Sequence, residues 1–104
     1  MTVGRLQVLH WAATLAPVHD VYERVVLTVM AEAAGEGGRG SALPLSTLVS
    51  RSRASKSTVI RCIDRMLERG LIVRGDQATV SHIASNRRPA VYDLVLPTAA
   101  GEAA

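Results

Sequence analysis

A chain of 104 residues that is 48% hydrophobic and 20% charged is long enough for one domain with one modest core, and too apolar to remain unfolded in water. Its single Cys excludes an intrachain disulfide framework or a zinc ribbon and fits a reducing compartment, and its longest apolar runs are much shorter than the roughly 20 residues of a membrane span. The net charge of +3 is unevenly spread: residues 1–50 carry three basic side chains against four acidic ones and residues 51–88 nine against three, so one half presents a cationic surface, which charge alone reads either as suited to a polyanion, most often nucleic acid, or as a solvated face without a partner.

In chain order, the N-terminus shows no basic region leading into an apolar stretch and a cleavage site, so a cytoplasmic location is expected. Residues Arg5 to Leu15 suit a short helix, with Leu6, Leu9, Ala13 and Val8, Ala12, Leu15 near helical spacing, and Pro17 ends it. Trp11 reads as a core or dimer-contact residue. Asp20 is a good N-cap for a longer, central helix whose turns are marked by Val21, Val25, Thr28, Val29 and Glu32, with Gly35 as its stop. The stretch GEGGRGSA, residues 35–42, reads as a flexible connection without an apolar anchor. It is not a phosphate-binding loop, since neither a preceding strand nor a following Lys-Ser or Lys-Thr is present.

Pro44 opens a short helix with Leu45, Leu48 and Val49 on one face, a break follows around Ser52 to Ala54, and Ser55 caps a third helix from Lys56 to Arg69, closed by Gly70. Beyond Gly70 the period changes. LIVRG and AVYDLVL are rich in β-branched residues, and in the second Tyr92, Leu94 and Leu96 alternate with Val91, Asp93 and Val95. The polar segment between them ends in Asn86, Arg87, Arg88 and Pro89, which predicts a β-hairpin with a long arm. A disordered tail is expected over 97–104.

On the helix from Lys56, a rotation of about 100° per residue puts Val59, Cys62, Ile63, Met66 and Leu67 on one side and Ser57, Arg61, Asp64, Arg65 and Glu68 on the other. The acids of the polar side come in later turns, so the cationic end is the N-terminal end, where exposed backbone amides also favour a phosphate. Arg61 is the candidate for a bidentate contact to guanine, with Lys56, Ser57 and Thr58 beside it, while Arg51 and Arg53 suit backbone phosphates.

The string LPLSTLVSRSRASKSTVIRCIDRMLERGLIV, followed by NRRPAVYDL, resembles the winged helix-turn-helix domains of bacterial, phage and plasmid regulators and replication initiators. The matching positions are Leu48, Ser55, Thr58, Val59, Leu67, Gly70, Leu71 and Ile72, and the resemblance spans roughly residues 18–96. It implies a mainly α fold with a small β-hairpin, about four helices plus a two- or three-stranded wing; with the N-terminal helix the chain length gives a single domain over 1–96. It also implies a third helix in the major groove and a wing on the adjacent backbone or minor groove. Ser55, Arg65, Arg74, Asn86, Arg87 and Arg88 complete the expected DNA-binding set. The wing tip fits phosphate or minor-groove insertion, and Pro89 leaves open a stiff exposed loop instead. The chain departs from the pattern at Arg53, where the family often has Gly; if that backbone is left-handed, the side chain costs roughly 1 kcal/mol.

His10, His19 and His82 are scattered, and Cys62 lies on the apolar face, so neither a metal site nor a cofactor is expected. No acid/base constellation supports an enzyme, and one Trp with two Tyr are too few for a single-strand stacking platform. The expected function is sequence-specific binding of double-stranded DNA by a small transcriptional regulator or repressor, without a small-molecule ligand. The expected form is a dimer, joined through the helix of Leu6, Leu9 and Trp11. The alternatives are a phage or plasmid replication or partition protein, and a winged helix used only for protein contacts.

Overall fold

The computed structural model describes residues 3–97; most of the expected tail lies outside them. The chain is mainly helical, with a small two-stranded antiparallel sheet. Helix α1 spans Arg5–His10 and runs directly into a wide π-helical turn, Trp11–Leu15. Helices α2 (Val21–Ala33), α3 (Leu45–Ser52) and α4 (Lys56–Glu68) follow, then strands β1 (Ile72–Arg74) and β2 (Tyr92–Leu94).

Pro17 ends the wide turn. The Ala16 amide reaches back to the Trp11 carbonyl at 2.8 Å, but the next donor in that ladder would be residue 17, which has no N–H. The orphaned Ala12 carbonyl instead accepts from Arg24 Nη1 at 3.1 Å, which ties α2 to the turn. Trp11 and Ala12 are buried there, so Trp11 belongs to the core of its own chain and is not available as a dimer contact.

Helix α2 starts where Asp20 accepts from the Glu23 amide at 2.9 Å. Glu23, Val26, Leu27 and Met30 face inward, whereas of the residues marking its expected turns only Val29 is buried, and Val21 is 66% exposed. The helix is apolar on several sides, so periodicity alone left its orientation undetermined; packing against α1, α3 and α4 selected the face. Its end is not the expected glycine stop: Ala34 is the extended C-cap, and Gly35 keeps a negative φ.

The glycine-rich segment is anchored, contrary to its composition. A 3-10 turn spans Glu36–Gly38, and the Gly37 amide donates to the Val3 carbonyl at 2.7 Å. Gly38 is buried at φ +78°, where a Cβ would stand 2.9 Å from the Leu94 carbonyl oxygen. Ser41 exchanges two 2.9 Å backbone bonds with Tyr92 and donates its hydroxyl to the Met30 carbonyl at 2.7 Å. Such anchoring by backbone groups leaves no apolar signature in the sequence.

Strands β1 and β2 pair in the register Ile72↔Leu94, Val73↔Asp93, Arg74↔Tyr92, with Ser41 bridging to the other edge of β2. Tyr92 and Leu94 turn inward, but Val91 of the alternating set opposite them is fully buried too, so the alternation holds only within β2, and regular pairing is shorter than the AVYDLVL run. The core joins Val8 and Trp11 to Val26, Leu27 and Met30, to Leu48, to Val59, Cys62 and Met66, and to Ile72 and Leu94. No helix among the described residues is long and apolar enough to cross a membrane.

Candidate nucleic-acid interface

Three residues, Arg53 to Ser55, separate α3 from α4. Arg53 takes the left-handed conformation, φ 61° and ψ 15°, and its amide caps α3 on the Val49 carbonyl at 3.1 Å. It is the one non-glycine residue with positive φ among those described. A Cβ in that region costs roughly 1 kcal/mol, so the turn carries the departure from Gly as local strain. Half-buried Ala54 packs against the core and fixes how the chain enters the next helix.

Ser55 then caps α4. Its Oγ accepts from the Thr58 amide at 3.2 Å and donates to Thr58 Oγ1 at 2.9 Å, and Ser57 Oγ lies 3.2 Å away. Ser55 and Thr58 are therefore engaged in holding the helix start, with Thr58 half-buried, while Lys56, Ser57 and Arg61 stand exposed. Val59, Cys62, Ile63 and Met66 are buried as the helical period predicts. Burial, reinforced by the charges of Asp20 and Glu23, pushes the Cys62 thiol up, so it stays protonated and inert.

The basic residues of α4 divide into two groups. At its start, Lys56 and Arg61, like Arg51 and Arg53 before them, are exposed and belong to no ion pair among the described residues. At its end, Arg65 lies 3.9 Å from Asp20 with both side chains nearly half exposed, and Arg69 grips Glu23 through both terminal guanidinium nitrogens, at 2.5 and 3.4 Å. Glu23 is fully buried. Burial alone would raise its pKa, but the Arg69 hydrogen bonds, the His19 amide at 3.2 Å and the Arg69 charge outweigh it and hold the carboxyl below its ordinary value.

The β1–β2 hairpin carries the remaining cations of residues 51–88. Arg74 lies over the Tyr92 ring at 5.3 Å. Gln77 braces the arm: its Nε2 donates to the Pro89 carbonyl at 2.9 Å, and its Oε1 accepts from the Val91 amide at 3.0 Å. Arg88 folds back, Nε onto the Ile83 carbonyl at 2.8 Å and Nη2 onto the Ser81 carbonyl at 2.9 Å, so it shapes the tip instead of projecting from it. Asn86 and Arg87 remain exposed, and half-buried Pro89 is tied in through Gln77. An apolar groove lined by Leu45, Leu48, Ile60, Ile63, Ala90 and Tyr92 runs between the helices and the base of the arm.

Two elements of this surface escape a reading of the sequence. The Glu23–Arg69 pair joins residues 46 positions apart, and the only local signal, an acid three residues after Asp20, reads as ordinary helix-start chemistry. Gln77 has no signal at all. Among the described residues, no cluster of three or more His, Cys, Asp or Glu is placed to hold a metal. No family model, curated protein or solved structure matches this chain.

Proposed function

We propose that this chain is a winged helix-turn-helix protein that binds double-stranded DNA sequence-specifically, as a small transcriptional regulator acting by occupying an operator. In this reading α3, the Arg53–Ser55 turn and α4 form the helix-turn-helix, and the β1–β2 hairpin is the wing. The observation that carries the reading is the uncompensated start of α4. Lys56 occupies the first helical position with no acid in that turn, where the helix dipole opposes a cation by about 0.3–1 kcal/mol. Arg53 adds left-handed strain beside it. Two local penalties at one place, both attached to exposed cations, are the pattern of a binding surface, because a phosphate there would relieve the first and use the charge of the second.

The roles follow from position. Arg51, Arg53 and Lys56 neutralise phosphates, and Arg61, one turn into the helix, reads guanine through its planar fork. Ile60, 40% exposed next to it, offers an apolar contact for a thymine methyl. Ser55 and Thr58 hold the helix start, and Arg87 with Asn86 reaches the flanking backbone from the wing.

Selection of bound sites from a random duplex pool, followed by fluorescence anisotropy on the selected site, tests this. Arg61→Ala is expected to weaken the selected site by about 1–3 kcal/mol and to relax preference at one base pair. Arg87→Ala is expected to weaken all sequences alike and to lower the slope of log affinity against log salt by about 1. Wild-type affinity in both variants would sink the proposal.

A further inference from the structure

The outward stripes of α1 and α2 make an apolar face that the core uses only in part: Leu9 and Val25 pack partly against it, while Leu6 and Val21 stay exposed. Leu6, Leu9 and Ala13 recur at i, i+3 and i+7 along α1 and its wide continuation, the spacing of a helix–helix seam. Leu6 is 82% exposed. Helix α2 adds exposed Val21 and half-buried Val25 on the side opposite its buried Glu23, Val26 and Met30. At the far end of α2 the two stripes meet in a groove lined by Arg5, Leu6, Leu9, Ala31 and Glu32. This groove holds one exposed cation and one exposed anion, and neither belongs to an ion pair among the described residues.

We propose that this face is the two-fold interface between two copies of this chain, with Leu6 of each entering the groove of the other and Arg5 of each facing Glu32 of the second copy. A two-fold interface must be complementary to itself. A protruding Leu beside an apolar groove meets that requirement in shape, and one cation with one anion meets it in charge. A uniformly acidic or basic partner would match one of the two charges and oppose the other, so the second copy is the occupant that the charges favour. Trp11 takes no part, being buried in its own chain. The inference does not depend on the DNA reading, since the turn and α4 contribute no residue to it.

Sedimentation equilibrium of the full chain over a wide concentration range, without DNA, is the test. The wild type is expected to pass from one to two chain masses, and Leu6→Asp to raise the dissociation constant at least about tenfold, as loss of a central apolar anchor does. Arg5→Glu and Glu32→Arg are each expected to weaken association about threefold, and the double reversal to restore it by re-forming the pairs with opposite polarity. Each reversal agrees with the dipole of its helix, Glu near the start of α1 and Arg near the end of α2, so circular dichroism should show the fold intact. A monomer at every concentration, a dimer indifferent to Leu6→Asp, or reversals that fail to rescue one another would each overturn the proposal.

Discussion

At the first turns of α4, Lys56 and Arg61 stand exposed with no carboxylate in ion-pair reach among the described residues, whereas at its last turns Arg65 and Arg69 face Asp20 and Glu23 from α2. The same helix thus offers its cations at one end and uses them at the other. Both acids come from the start of α2, where Asp20 is also the N-cap. The Glu23–Arg69 pair ties the exit of α4 to α2, whereas the start of α4 presents its cations to solvent. Charge counting along the sequence treats all these arginines alike; their difference lies in which of them have a carboxylate opposite.

Removing the anchor at the exit is expected to have the largest effect. Arg69→Met strands a buried carboxylate, and thermal or urea unfolding at neutral pH should show a loss of about 3 kcal/mol. The pH dependence carries a definite sign. In the wild type the depressed pKa of Glu23 contributes stability above its ordinary value, which is lost as pH falls through the folded value. In the variant, burial without a partner raises that pKa, so the gap between the two proteins should narrow on acidification. A gap independent of pH would mean that Glu23 is not what Arg69 holds.

Changes at the start of α4 should be smaller and should separate stability from binding. Ser55→Ala removes the cap and is expected to cost about 1 kcal/mol in the same unfolding measurement. Arg53→Gly acts in the opposite direction. Relief of the left-handed strain, partly offset by the greater freedom of the unfolded chain, should leave a gain of about 0.5 kcal/mol, or about 2–4 °C in Tm. At the same time the salt slope of DNA binding should fall by about 1. A protein both more stable and equally tight on DNA would refute the role given to this turn. The smallest expected effect is that of Lys56→Gln: a gain of up to about 0.3 kcal/mol at low salt that disappears at high salt, as an unfavourable dipole contact requires.

The elements that were legible in advance are those whose signals are local. Asp20 and Ser55 each cap a helix through the amide three residues on, and the buried face of α4 follows the helical period at Val59, Cys62, Ile63 and Met66. The alternation of Tyr92 and Leu94 against Asp93 likewise sets the inward face of β2. Where a segment was ambiguous, the cause was either an apolar excess, as around α2, or the lack of any side chain to read, as in the glycine-rich segment that hydrogen-bonds through its backbone.

For the candidate interface, the sequence by itself determined that a basic turn leads into an amphipathic helix with its cations toward the start, because spacing and charge order along one helix are local properties. Tertiary structure alone decided which cations remain available. Arg69 is taken by Glu23 from a distant helix, and Arg88 by carbonyls of its own loop. Each of these depends on where another part of the chain comes to lie, and an ion pair or a loop tie forms only when folding has brought donor and acceptor within about 3 Å of one another.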